Sequence, residues 1–224
     1  MRSTLRVVGS SMPCDGLVRS STGEPDNRVT RIGPSVTTDD IDPGMQRSFL
    51  VTAYPFALVA IAITLNLFVF GLQPVDVTLP SVGYLLSIAV SAALLVINHT
   101  WLMISTELTR VKLGMSATPE EWAASGRSRV DTPALAAEEL ERRHNAHRNT
   151  TENVVYFALL VPPFVLVSPP IPAVQLWMIG FGVARLGYTY SYLSGRTGPR
   201  GLFMSLGLLS LYGMSSYALM SLLN

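Results

Sequence analysis

A chain of 224 residues in which 49% are hydrophobic and only 14% charged, with a mean hydropathy of +0.37, is too apolar for an ordinary water-soluble domain and reads as a membrane protein. Its formal net charge of +1 offers no concentrated basic face, so no nucleic acid is expected as a partner. The single cysteine, Cys14, excludes an intrachain disulfide and has no metal-ligand spacing around it.

In chain order, residues 1–47 are rich in Ser, Thr, Asp, Pro and Gly, show no sustained period and lack the apolar core of a signal peptide; a disordered cytoplasmic tail is expected there. Five apolar runs follow, Phe49–Leu72, Val82–Thr106, Val154–Val167, Ile171–Leu193 and Leu202–Leu223, most of them near the roughly 20 residues that cross a bilayer core. The third is short. It reaches that length only if the amphipathic stretch back to about Pro133 continues the same helix, which puts its polar block at and just inside the membrane surface. Between the second and third runs, Gly114–Thr132 is a polar loop rich in Ser and Ala. It closes on Asp131-Thr132-Pro133, which predicts a capping side chain with Pro at the first helical position. Pro162-Pro163 predicts a kink or a shortening of the third run. The expected architecture is all-α, a polytopic membrane helix bundle.

The charges test this division independently. With the N-terminus in the cytoplasm, every Lys and Arg outside the apolar runs falls on one side. These are the arginines of the tail, then Arg110, Lys112, Arg127, Arg129, Arg142, Arg143 and Arg148 in and around the long loop, and Arg196 and Arg200 in the last connection. The connections Gln73–Ser81 and Ser168–Pro170 carry none, which fits five spans with the N-terminus inside and the C-terminus outside.

Two stripes of functional groups stand out. Asn145, Asn149, Glu152 and Tyr156 are spaced by four, three and four, which places them within an arc of roughly 60° on a helix. Phe181, Arg185, Tyr188 and Tyr192 repeat that spacing on the fourth run. A structural reading pairs Glu152 with Arg185 and makes the tyrosines interfacial anchors. A concave site for a small charged ligand accounts for the whole set, because guanidinium groups grip carboxylates while carboxylates and Asn amides grip an amine or peptide groups. His144 and His147 lack a third ligand in register and are surrounded by arginines, so no metal is expected. Asn149-Thr150-Thr151 matches a glycosylation acceptor on the wrong side of the membrane. Phosphate loops, nucleophile elbows and paired catalytic carboxylates are absent, and no inverted repeat points to a transporter.

Three segments in order resemble the MAPEG family, the membrane-associated proteins in eicosanoid and glutathione metabolism. Glu141-Arg142 with Ala146-His147-Arg148-Asn149-Thr150-Thr151-Glu152 is similar to the family's second-helix signature. Arg110 with Ala117-Thr118-Pro119-Glu120-Glu121 is similar to its first-helix end and following loop. Ala184-Arg185, Tyr188-Thr189, Tyr192-Leu193 and Pro199-Arg200 resemble the end of its third helix and the start of its fourth. The resemblance covers about Val82 to the C-terminus. It implies a four-helix unit over residues 82–224, with residues 48–72 as one extra N-terminal transmembrane helix, assembling as a homotrimer. Glutathione, or another small thiol, would be bound between protomers by Arg110, Arg148, Asn149, Glu152, Tyr188 and Tyr192, with Arg185 in the same polar band. Arg200 would stabilise the thiolate for transfer or peroxidase chemistry on a lipophilic substrate from the bilayer. Two departures are visible: Asn145 stands where the signature carries Arg, and Arg200 lies one residue closer to Tyr192 than in several members. A lone lysine, Lys112, against fifteen arginines points to GC-rich coding DNA and a bacterial plasma membrane, where thiols other than glutathione also occur. A non-catalytic member that binds a lipid or a partner protein is the alternative.

Overall fold

The structure, a computed structural model, describes residues 43–75 and 79–224. The expectation of a disordered tail falls largely outside them. Where the two overlap, α1 (Pro43–Thr64) already begins inside the segment read as tail. Among the described residues every regular element is helical.

The apolar run of α1 passes into a π turn, Leu65–Phe70, and ends at Gly71, whose φ of 71° suits a residue without a side chain. α2 (Val82–Leu113) is closed by a Schellman motif: the Met115 N–H donates to the Arg110 carbonyl (2.9 Å) and the Gly114 N–H to that of Val111 (3.3 Å), with Gly114 left-handed at φ 63°. α3 (Pro119–Ser125) has Pro at its first position. The Thr118 hydroxyl accepts from the Glu121 N–H at 3.3 Å, and the Glu121 carboxylate accepts from the Ala117 N–H at 2.7 Å.

After a 3-10 turn, Arg129–Asp131, α4 runs from Ala134 to Leu166. It begins one residue later than the sequence predicts. Pro133 itself occupies the cap position and can offer no capping side chain; its carbonyl accepts the first two bonds, from Ala136 and Ala137. Pro162 and Pro163 do not shorten α4, which continues helical through both, as membrane helices do when neighbours hold the freed turn. α5 (Ile171–Val174), a π turn (Gln175–Ile179) and α6 (Gly180–Leu193) follow without a gap, and α7 (Thr197–Leu223) closes the chain.

Three helical segments are long and apolar enough to cross a membrane: Ser48–Phe70, Val82–Leu113 and Thr197–Leu223. The other two predicted runs fall differently. α4 spends its first half on charged residues and turns apolar only from Val154, while the π turn divides Ile171–Leu193 into shorter pieces. Large apolar side chains such as Phe56, Phe68, Val82 and Leu86 stand outward, 60–82% exposed, which in water would cost roughly 25 cal/mol per Å² and in lipid costs nothing comparable. The protein is an integral membrane helix bundle.

Four helices close a ring in which α2 packs on α4 and α6, and α7 packs on α6 and α4; α1 lies against α7 outside that ring. The apolar core joins the later half of α4 to the start of the α5–α6 ladder and the later half of α7. There Phe157 stacks on Phe181 (4.4 Å, 3°) and Phe164 meets Tyr217 edge-on (5.8 Å).

Lipid offers no hydrophobic drive between helices, so close packing and hydrogen bonds must hold α1 in place. Asn66, fully buried in the first π turn, supplies them. Its Nδ2 donates to the Gly213 carbonyl (2.8 Å) and to Ser216 Oγ (3.0 Å), and its Oδ1 accepts from Trp177 Nε1 (3.0 Å) in the second π turn. Gly213 makes room for the indole, since a Cβ there would collide with the Trp177 ring. Tyr54 adds a hydroxyl contact to Ser205 nearer the other end of α7.

Candidate functional site

On α4, at about 100° per residue, Glu138, Glu141, Arg142, Asn145, Asn149 and Glu152 share one side, while Leu140, His144 and His147 share the opposite one. Each side opens onto its own cleft.

The first cleft, about 380 Å³, lies between α4 and the α6–α7 junction and is lined by Glu138, Glu141, Arg142, Asn145, Ser191, Tyr192, Gly195, Thr197 and Arg200. A second hollow of about 330 Å³, lined by Tyr188, Tyr192, Arg200, Gly201 and Met204, adjoins it through the shared Tyr192 and Arg200. The Arg200 guanidinium sits 5.2 Å over the Tyr192 ring, and Tyr192 is 5.5 Å from the ring of Tyr188. Arg185, the next group of this column, is completely buried. Its Nη1 donates to Asn149 Oδ1 (3.2 Å), its Nη2 lies 3.8 Å from Met204 Sδ, and its guanidinium stacks against Tyr188 (4.9 Å) and Phe181 (5.6 Å). Gly207 permits this position, because a Cβ there would come within 2.6 Å of Nη2.

Among the described residues Arg185 has no ion pair, and its buried Nε has no hydrogen-bond partner. Glu152, which the structural reading pairs with it, is exposed, close enough for its charge to be felt at Tyr188 together with those of Arg185 and Arg200. Tyr156, the last member of the α4 stripe, is 62% exposed. A buried cation without a counter-charge is expensive at membrane depth. The hollow in front of Arg185, lined by Tyr188, Tyr192 and Arg200, offers a guanidinium and two phenol rings to an anionic group.

Of the remaining predicted residues, Arg110 lies on the other face and Arg148 between the two. Arg110 forms an ion pair with Glu107 and approaches His144 Nε2 through Nη2 at 3.2 Å; Arg148 is exposed near the same histidine. Here a cleft of about 460 Å³ is lined by Arg110, Met115, Ser116, Ala117, Pro119, Trp122, Arg127, Ser128, Arg129, Leu140 and His144. His144 lies ten residues ahead of Val154, about 15 Å beyond the start of the apolar run at helical rise. Burial holds its pKa below the ordinary histidine value, and the charges of Arg110, His147 and Arg148 act in the same direction. The chain therefore brings together Asn149, Arg185, Tyr188, Tyr192 and Arg200, and places Arg110 in the opposite cleft, with Arg148 exposed between the two sides of α4.

Sequence reasoning missed the acidic and basic groups Glu138, Glu141 and Arg142 of the first cleft. Their spacing of three and one, followed by Asn145 three further on, extends the α4 stripe backward and was the available signal. It also missed His99, whose Nδ1 lies 3.3 Å from His147 Nε2; Asn98-His99 is a polar interruption of the second apolar run.

The family model described as MAPEG family matches residues 85–220, which takes in α2 through most of α7 and leaves out α1. No curated protein matches the chain.

Proposed function

Because this chain belongs to the MAPEG family, we propose that it is a membrane-bound transferase or peroxidase that uses glutathione, or another small thiol, on lipophilic electrophiles. The observation that carries this reading is the Tyr188–Tyr192–Arg200 column, which lines two joined clefts and has the buried Arg185, without an ion pair among the described residues, stacked on Tyr188 behind it. The placement of Arg110 in the cleft on the far face of α4, away from the column, supports a trimer. A thiol bound between neighbours would meet Asn149, Arg185, Tyr188, Tyr192 and Arg200 of one protomer with Arg110 and Arg148 of the next, and Glu152 would reach it from an exposed position.

A free thiol has a pKa of about 8.5 and is mostly protonated at neutral pH. Arg200, exposed at the cleft mouth and backed by the Tyr192 ring, would hold the thiolate by charge, raising the fraction that attacks. The sulfur forms a bond to the electrophilic carbon and the leaving group departs with its electron pair; in the peroxidase mode the thiolate attacks the peroxide oxygen, the O–O bond breaks to release the alcohol, and a second thiol displaces water from the sulfenic acid to form the disulfide, the two thiols together supplying the two electrons. The acceptor reaches the sulfur from the bilayer past Met204 and Gly201. With the arginine-bearing connections inside, this site faces the cytoplasm, with N-in and C-out topology over five spans.

Asn145, uncharged in the first cleft where the family signature has Arg, favours the second reading, a member that binds without turnover. Thiol-dependent conjugation of a chlorodinitrobenzene by the purified protein tests the first reading. Saturable thiol binding with no conjugation or peroxide reduction would establish the binder instead.

A further inference from the structure

The cleft on the far face of α4 carries more positive charge than the thiol reading uses. Besides Arg110 and His144 it presents Arg127 and Arg129, and no Asp or Glu lies among its lining residues. Arg110 shares its charge with Glu107, but neither Arg127 nor Arg129 has a carboxylate partner among the described residues. Arg127 instead donates from Nη1 to the Gly114 carbonyl (3.3 Å), so one guanidinium edge is held by the α2 terminus. The floor is apolar, formed by Met115, Trp122 and Leu140.

The surroundings give this charge a level in the membrane. Val111, two residues before the end of α2, is 77% exposed; Val130 and Leu135, flanking the cleft on the loop and on α4, are 90% and 79% exposed. Arginines set just beyond exposed aliphatic side chains, with a tryptophan beside them, are what the headgroup layer of an anionic leaflet selects. At about 460 Å³ the cleft is large enough for a small polar group. The Schellman turn at Gly114 and the cap of α3, in which Thr118 accepts from the Glu121 N–H and Glu121 from the Ala117 N–H, hold the loop from both sides.

We infer that the arginine pair Arg127–Arg129 on the loop side of this cleft is a binding site for the phosphate headgroup of an anionic phospholipid, with Arg110 left to the thiol. The phosphate oxygens accept from the free guanidinium edges, and the acyl chains run down the exposed aliphatic surface of α2. This site is distinct from the Tyr188–Arg200 column and does not depend on whether the thiol there is turned over.

The test is native mass spectrometry of the full-length detergent-purified protein titrated with phosphatidylglycerol or phosphatidylcholine, with glycerol phosphate as soluble competitor and thiol affinity measured in parallel. Phosphatidylglycerol is expected to bind in preference to phosphatidylcholine, and Arg129→Glu and the Arg127→Ala/Arg129→Ala pair to lower that preference by roughly fivefold per arginine removed. Arg127→Lys guards against a loop that loosens when its bond to Gly114 is cut, because it keeps the charge and should keep most of the preference. Thiol affinity should stay unchanged in all of them. Equal binding of the two lipids would overturn the proposal. So would displacement by glycerol phosphate at the lipid's own concentration, which assigns the cleft to a soluble phosphate ester, or loss of thiol affinity in Arg129→Glu, which assigns it to the thiol site.

Discussion

Asn66 and Arg185 are both completely buried polar side chains inside an apolar bundle, and they are treated in opposite ways. Asn66 spends both Nδ2 hydrogens and its Oδ1 on Gly213, Ser216 and Trp177. Arg185 keeps an unpartnered Nε and, among the described residues, no counter-ion. The same contrast holds around them. Next to Asn66, the Tyr217 hydroxyl donates to the Gly71 carbonyl (3.1 Å) and accepts from the Gln73 N–H (3.3 Å). Apart from Ser91 and Ser221, the buried orphan atoms belong to Asn98, Arg110, Thr150, Arg185 and Thr189, at the depth of the polar stripes. A satisfied group holds the structure, whereas a buried group left unsatisfied is a cost that a ligand can offset. The extra helix is thus docked by the first kind, and the site is built from the second.

This contrast can be broken at several points. The largest effect should come from Arg200→Ala, which removes the cation at the cleft mouth. Turnover is expected to fall on the order of 100-fold while thiol affinity changes little, because stabilising the thiolate matters most in the transition state. Equal losses in steady-state turnover and in calorimetric affinity would make Arg200 a binding residue only. Asn66→Leu should act on the other side of the comparison. Orphaning the Trp177 N–H should cost about 1–3 kcal/mol of stability, read as a lower unfolding temperature in detergent, with thiol affinity intact.

A smaller effect is expected from His144. Its folded-state pKa lies below the unfolded value of about 6.5, so the unfolded chain binds the proton more readily. Stability is then fully present above about pH 6.5 and declines as the pH falls through that value, and His144→Asn should flatten the decline in thermal scans between roughly pH 7 and 5. An unchanged slope would mean that the Arg110–His144 contact does not couple to folding. Smallest of all, Tyr54→Phe removes one exposed hydroxyl contact to Ser205 and should shift stability by no more than about 0.5 kcal/mol, leaving Asn66 as the anchor of α1.

The sequence showed the helical class, the span-like runs and the Arg185–Tyr188–Tyr192 column, because these depend on periods of three and four along one element. What it hid depends on a second element. That Asn149 rather than Glu152 faces Arg185 is decided by how far α6 is rotated against α4, which no spacing within α4 contains. Arg110 read as a member of the same ligand set, yet α2 packs on the opposite face of α4 and takes it away from the column. Pro162-Pro163 read as a kink or a shortening by local chemistry, and the helix is not shortened there. The role of α1 was illegible because Asn66 is an ordinary residue until its partners, more than 100 positions away, come into contact.

The central claim is that Arg185 is buried for a ligand and not for the fold. Calorimetric titration of detergent-solubilised wild type and Arg185→Met with glutathione and with an alternative small thiol, alongside thermal unfolding of both proteins, tests it directly. The account predicts saturable binding by the wild type to one of these thiols, an affinity lower by roughly 10- to 100-fold in Arg185→Met, and an unfolding temperature equal or higher, since an apolar isostere relieves an unpaired charge. Undiminished binding together with earlier unfolding of Arg185→Met would contradict it.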